Sequence, residues 1–349
     1  MKENFTFLED FTVMKLSNQD IGKIALGAVR QEEVNGSLRL HRFTKEEGEL
    51  YRLSSEAFYK RALSPAGVKL LFKTDSKNLF LKLSVSEGPR SYFSTDVYKN
   101  GEEIGCISNF REGELLGNYA SLKFPLGSFS GSFPLGEGEK TVCIYMPWSV
   151  CADITELSLD DGAYVEPIKP KKKLVAYGDS ITQGFDSRHP AKRYVARLAE
   201  ALGAEEINKA IGGEKFIPGL VALASGAAPD YVTVAYGTND WYRLDKEYFL
   251  EKCKAFFINL KKAYPKSKIF VITPIWRKNM HEARPFGDFL EVDGCIRACV
   301  GDVDGISVIS GFDLVPHEEK YFGDLSLHPN DEGFEIYFEN LYSKIKELL

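Results

Sequence analysis

The chain has 349 residues, 44% hydrophobic and 27% charged, with a net charge of −6 at neutral pH. That length suggests two domains and is ample for a large core. The acidic balance argues against nucleic acid or an anionic membrane as main partner, since both select basic patches, and no run approaches the roughly 18–20 apolar residues that span a bilayer.

The first ten residues, Met1 to Asp10, lack the apolar stretch of a signal peptide, so the expected location is cytoplasmic. The next signals are those of β structure. Val68 to Thr74 and Leu79 to Val85 read as strands. In the second, Leu79, Leu81, Leu83 and Val85 alternate with Phe80, Lys82 and Ser84, leaving one face to bury. Asp75-Ser76-Lys77-Asn78 between them is a turn cluster. Tyr92 to Lys99 runs into Asn100-Gly101, a strong hairpin signal. Thr141 to Trp148 is a further apolar run. Short strands separated by Gly- and Ser-rich turns predict a β-sandwich or jelly roll over residues 1–165.

Residues 166–173 carry two prolines and a lysine run, which predicts a stiff, solvated linker. From 174 to 349 strands and helices alternate. Strands are expected at Leu174 to Tyr177, Tyr231 to Tyr236, Ile269 to Ile275 and Ile306 to Ile309. Helices are expected at Ala191 to Leu202 and Lys246 to Tyr264. A final helix presents Phe334, Phe338, Leu341, Ile345 and Leu348 at spacings of four and three. That order predicts a mainly parallel sheet covered on both faces.

Six cysteines, at positions 106, 143, 151, 253, 295 and 299, form no Cys-x-x-Cys pair. Cys295 and Cys299 are four apart but have no histidine at ligand spacing. Reduced, mostly buried thiols and no metal are expected. His41, His189, His281 and His317 have no motif around them and are expected on the surface or in loops.

The chemistry concentrates in Leu174-Val-Ala-Tyr-Gly-Asp-Ser-Ile-Thr-Gln-Gly184, where an apolar strand ends in a tight turn bearing Ser180. Ligands bind at that edge of open α/β sheets, and a serine becomes a nucleophile only when a base reaches it. Gly178-Asp-Ser-Ile-Thr-Gln-Gly184 resembles the first block of the GDSL/SGNH hydrolases. Asn208-Lys-Ala-Ile-Gly-Gly213, Gly237-Thr-Asn-Asp240 and Asp324-Leu-Ser-Leu-His328 are similar to the later blocks, in order. The resemblance covers about residues 172–349. It implies a three-layer α/β/α, flavodoxin-like hydrolase domain acting on esters without cofactor. Ser180 would be the nucleophile, His328 the general base, and the N–H groups of Ser180 and Gly213 with the Asn239 amide an oxyanion hole.

This sequence departs from the family pattern twice. The family acid stands three residues before the histidine, where this chain has Leu325; Asp324 is four before, so either Asp324 or a backbone carbonyl orients His328. In the second block Gly212 competes with Gly213. Asp179 is read as a structural hydrogen-bonder. Trp241 and Trp276 are candidate pocket walls.

Thr95-Asp-Val-Tyr-Lys-Asn-Gly101 loosely resembles a signature of β-sandwiches that precede some GDSL-type esterases. The arrangement is similar to carbohydrate esterase family two, some members of which use a Ser-His dyad. This implies an acetyl ester of a carbohydrate as substrate, with the small molecule or glycan as the only implied partner. A general short-chain carboxylesterase or lysophospholipase, an acyltransferase and a non-catalytic carbohydrate-binding protein are the alternatives.

Overall fold

The computed structural model describes residues 13–111, 113–115, 119–224, 228–301 and 305–349; the N-terminal segment read above for a leader lies outside them. Two antiparallel sheets form the first part. One runs Arg30–Val34, Ser37–His41, Cys151–Asp160, Asn78–Ser86, Gly127–Pro134, with Val13–Lys15 added on Cys151–Asp160. The other runs Glu166–Pro167, Lys69–Thr74, Lys140–Tyr145, Ser94–Lys99, Glu102–Ser108, with Ala25–Leu26 added on Lys69–Thr74.

Period-two alternation builds the core between them. Leu79, Leu81, Leu83 and Val85 from the first sheet meet Leu70, Phe72, Val97, Val142 and Ile144 from the second. At the expected hairpin, Asn100 and Gly101 both take positive φ, 50° and 87°. Those values match the twist of the flanking strands, Ser94–Lys99 and Glu102–Ser108.

Some features of this part were not foreseen. Cys151–Asp160 is central to its sheet and buried along most of its length on both faces, which erases alternation as a signal. Helices Lys45–Ser54 and Glu56–Ala62 follow N-caps at Thr44 and Ser55, Thr44 forming a capping box with Glu47. His41 is buried in a strand, not on the surface. Arg30 donates to its Nδ1 and its Nε2 bonds Glu32, while burial pushes its pKa down to about 4. The expected linker is pinned at both ends: Glu166 and Pro167 pair with Lys73 and Phe72, and Lys172 already pairs with Ala204.

The second part is a five-stranded parallel sheet ordered Ala204–Asn208, Lys172–Gly178, Tyr231–Ala235, Lys268–Ile272, Ile306–Ile309. In order along the chain this is 2-1-3-4-5, the flavodoxin-like arrangement. One face packs against Lys246–Ala263 and Glu291–Val300, the other against Tyr194–Ala201 and Asp331–Leu348. The apolar face of the last helix buries Phe334, Leu341 and Ile345, as its spacing requires, and adds Tyr337. The strand expected to reach Ile275 stops at Ile272, just before Pro274 removes a ladder donor. No described helix is long and apolar enough to cross a membrane. All six thiols are free, with Cys143, Cys151 and Cys253 buried and Cys106 exposed.

Arg42 joins the two parts. Its guanidinium is fully buried and donates to the carbonyls of Ser64, Arg61, Asn208 and Ala210 at 2.6–3.1 Å. Beside it Lys209 pairs with Glu47, both buried. Removing the guanidinium strands several buried acceptors, and each such orphan costs about 1–3 kcal/mol. We expect Arg42→Met to lower unfolding stability by about 3–5 kcal/mol. Urea denaturation measures this; an unchanged midpoint would mean that Arg42 does not hold the joint.

Candidate active site

Two neighbouring strands, Lys172–Gly178 and Tyr231–Ala235, end at the switch point where the strand order reverses, the place where such sheets open a crevice. Each continues into a short helix. Asp179 caps the first, Ser180–Gln183, its Oδ1 accepting the Ile181 N–H at 3.0 Å. This puts Ser180 in the opening turn, 4% exposed. The second helix, Thr238–Arg243, carries Asn239 in its first turn.

His328 arrives from the loop ahead of the last helix. Its Nε2 lies 2.8 Å from Ser180 Oγ and its Nδ1 2.7 Å from Asp324 Oδ2. In the neutral ring this fixes the tautomer: Nδ1–H donates to Asp324, and Nε2 accepts the serine proton. The displaced acid therefore does reach the ring. Leu325 absorbs the extra residue by adopting a left-handed conformation, φ 58°, with its side chain exposed. The turn is held by Asp324 itself, whose Oδ1 accepts the N–H groups of Ser326, Leu327 and His328 at 2.7–3.1 Å.

The electrostatics follow. Burial opposes charge on Asp324, but the hydrogen bond and charge of His328 outweigh it and hold the carboxyl well below its ordinary range. Burial likewise disfavours the imidazolium. Asp324, and beyond it the charge of Asp186, overcome that and raise His328 above the usual histidine value of 6.5. Asp186, Asp324 and His328 offer ligand-type atoms within 4.8 Å of one another. Both Asp324 oxygens are already committed to His328 and the loop, so a cation there would have to break that chain.

The competing glycines have different backbone partners. Gly212 N–H donates to Gln183 Oε1 at 2.8 Å, and a Cβ on Gly212 would meet the Phe185 ring at 2.3 Å. Gly213, at φ 80°, has an N–H with no recorded partner among the described residues. The Asn239 amide donates to Asp179 Oδ2 at 3.3 Å and to the Glu214 carbonyl at 3.1 Å, which fixes its orientation. Burial pushes the Asp179 pKa up to about 6 and that of Glu214, which accepts from Tyr51 and Tyr236, up to about 8.

Trp241 is corrected by the structure. It is fully buried, donates to the Gly287 carbonyl at 2.9 Å and packs edge-on to Phe289, so it is core rather than pocket wall. Trp276 is half-buried, stacked on His317 and tilted against Phe322, with ring centroids at 5.8 and 5.2 Å. Phe322 is two residues from Asp324, so this tryptophan buttresses the histidine loop.

Sequence reasoning missed the residues that brace the site from the β part. Gln183 stood inside the first block without a role. Its amide donates to Ser64 Oγ and the Trp148 carbonyl, at 2.9 and 3.3 Å, while its carbonyl oxygen holds Gly212. Trp148 Nε1 donates to the Ser187 carbonyl, and Arg61 donates to the Gly212 carbonyl. Only the buried position of a polar residue within a motif could have flagged Gln183; Arg61 and Trp148 left no local signal.

Residues 176–336 match the GDSL-like Lipase/Acylhydrolase family. Solved structures resemble nearly the whole chain. The salicylyl-acyltransferase SsfX3 from a tetracycline biosynthetic pathway is 18% identical, covers 93% of this chain and 94% of its own, and has a TM-score of 0.74. A Bacteroides ovatus protein classed as a GDSL-like lipase is 18% identical over 97% and 98% of the two chains, TM-score 0.75. A family two carbohydrate esterase from Cellvibrio japonicus is 15% identical over 97% and 98%, TM-score 0.63. None of the curated proteins compared with the chain matches it. Residues 176–336 thus form a GDSL-like acylhydrolase domain, which supports a carboxylic ester hydrolase, and the two-part fold is shared with the Cellvibrio japonicus esterase.

The raised His328 pKa can be tested directly. Its imidazole should titrate with a midpoint above 6.5 when followed by NMR, and Asp324→Asn should lower that midpoint by removing the carboxylate that favours the charged ring. A midpoint unchanged by the substitution would separate the two groups.

Proposed function

We propose that the protein hydrolyses small acyl esters, acetyl above all, carried by a carbohydrate. The observation that carries the catalytic part is the unbroken chain from Ser180 Oγ through His328 to Asp324, at 2.8 and 2.7 Å. Ser180 attacks the ester carbonyl while His328 Nε2 takes its proton. The tetrahedral oxygen becomes negative and is met by the N–H groups of Ser180 and Gly213 and by the Asn239 amide, whose longer bond to Asp179 is the one it can share. His328 then returns the proton to the leaving alcohol, and water repeats the cycle on the acyl-enzyme. Asp324 keeps the ring in the required tautomer.

The acetyl group and the sugar rest on the pairing of a β part with a GDSL-like domain, as in the Cellvibrio japonicus esterase. That support is analogy of architecture. The narrow exposure of Ser180 favours a short acyl group. Transfer to an acceptor alcohol is the second reading. The same acyl-enzyme serves it, and the salicylyl-acyltransferase resembles this chain over both parts.

We expect the protein to turn over p-nitrophenyl acetate, with Ser180→Ala losing at least about a thousandfold. Asn239→Ala should lose about a hundred- to a thousandfold in kcat. Full activity in a folded Ser180→Ala variant would overturn the nucleophile. Acetate released from acetylated sugars in water supports hydrolysis, whereas acyl products formed preferentially on an added alcohol support transfer.

A further inference from the structure

Behind the imidazole lies a second carboxylate that the chemistry above does not use. Asp186 follows the nucleophile helix by three residues, is fully buried, and sits at φ 67°, a conformation that a non-glycine residue adopts only at a cost. Its Oδ1 accepts from Arg90 Nη2 at 3.3 Å. Its Oδ2 has no hydrogen-bond partner among the described residues and lies 3.8 Å from His328 Nδ1, the same ring nitrogen that bonds Asp324. An empty acceptor in such a place is costly unless it answers a charge that comes and goes.

The surroundings fix Asp186 there. Gly323, on the histidine loop, passes so close that a Cβ on it would lie 2.7 Å from Asp186 Cβ. Arg90, from the β part, lies over the Phe185 ring at 4.4 Å, and that ring is 5.5 Å from the His328 ring. The titratable groups that act on or respond to Asp186 are His328, Asp324, Arg90 and the phenols of Tyr92 and Tyr119. Arg90 contributes the guanidinium among them.

We propose that Asp186 is a second positioning carboxylate for His328, sharing the Nδ1 side of the ring with Asp324 and held in place by Arg90 of the β part. This rests on His328 being the base. In the resting state Nδ1–H belongs to Asp324. When Nε2 takes the Ser180 proton, the positive ring faces two carboxylates on its Nδ1 side. Arg90 offsets part of that negative charge, so the proton is still released to the leaving alcohol. No covalent bond at Asp186 forms or breaks. When Asp324 is lost, Asp186 becomes the acceptor for Nδ1–H.

The test compares pH profiles of kcat/KM for wild type, Asp186→Asn, Asp186→Ser, Asp324→Asn and the double variant Asp186→Asn with Asp324→Asn, each checked by thermal melting. Two substitutions at 186 guard against one failing to fold. Losing the Asp186 charge removes support for the imidazolium, so the acidic limb should move to lower pH. kcat should fall about three- to tenfold with KM held. The same substitution should cost more in the Asp324→Asn background than in wild type. An acidic limb that stays in place, or an equal cost in both backgrounds, overturns the proposal and leaves Asp186 a purely structural residue. Activity surviving Ser180→Ala would instead overturn the underlying reading of the site.

Discussion

The carboxyl ends of Lys172–Gly178 and Tyr231–Ala235 lie side by side, yet the chain leaves them for opposite flanks of the sheet: first outward to Ala204–Asn208, then back across to Lys268–Ile272. Parallel strands with right-handed crossovers have to part somewhere, and here they part between Ser180 and Asn239. Backbone donors of two helix starts open there, where negative charge is favoured. The strand Ala204–Asn208 sends its glycine loop to the same crevice, and the histidine comes from a loop rather than from a strand end. The loop before the last helix supplies it.

The β part braces that crevice. Gln183 touches Ser64, Trp148 and Gly212 at once. The Ser180 helix, the glycine loop and the β part therefore share one side chain. Arg61 grips the Gly212 carbonyl from the other side. Without these partners the sheet would stand, but the loop bearing Gly212 and Gly213 would lose its bracing.

Much of this was legible in the sequence where local rules act alone. Alternation at Leu79 to Val85, the Asn100-Gly101 turn and the apolar strands of the parallel sheet each specify their structure within a few residues. The ordered blocks bring Ser180, His328 and Asn239 to one crevice. Legibility fails where the cause is distant. Cys151–Asp160 hides because both faces are covered, and Trp241 looks like a pocket residue because nothing near it in sequence announces Phe289 or Gly287. The offset of Asp324 is the instructive case. Counting residues leaves it ambiguous, since a backbone carbonyl would serve equally well. The ambiguity ends once Leu325 is seen in a left-handed turn, because the geometry of the carboxylate, not its spacing, is what the ring responds to.

The buried arginine of the joint also bears on how the chain comes into being. Arg42 and the carbonyls of Asn208 and Ala210 are 166 and 168 residues apart. A ribosome adding about 5–20 residues per second exposes the first part for many seconds before these two of the four backbone acceptors of Arg42 exist. During that interval the guanidinium can reach only the Arg61 and Ser64 carbonyls, and the surface around it stays unsealed. Maturation of the β part is thus kinetically subordinate to the domain made after it, a dependence that long-range contacts impose on any chain that must close on itself late.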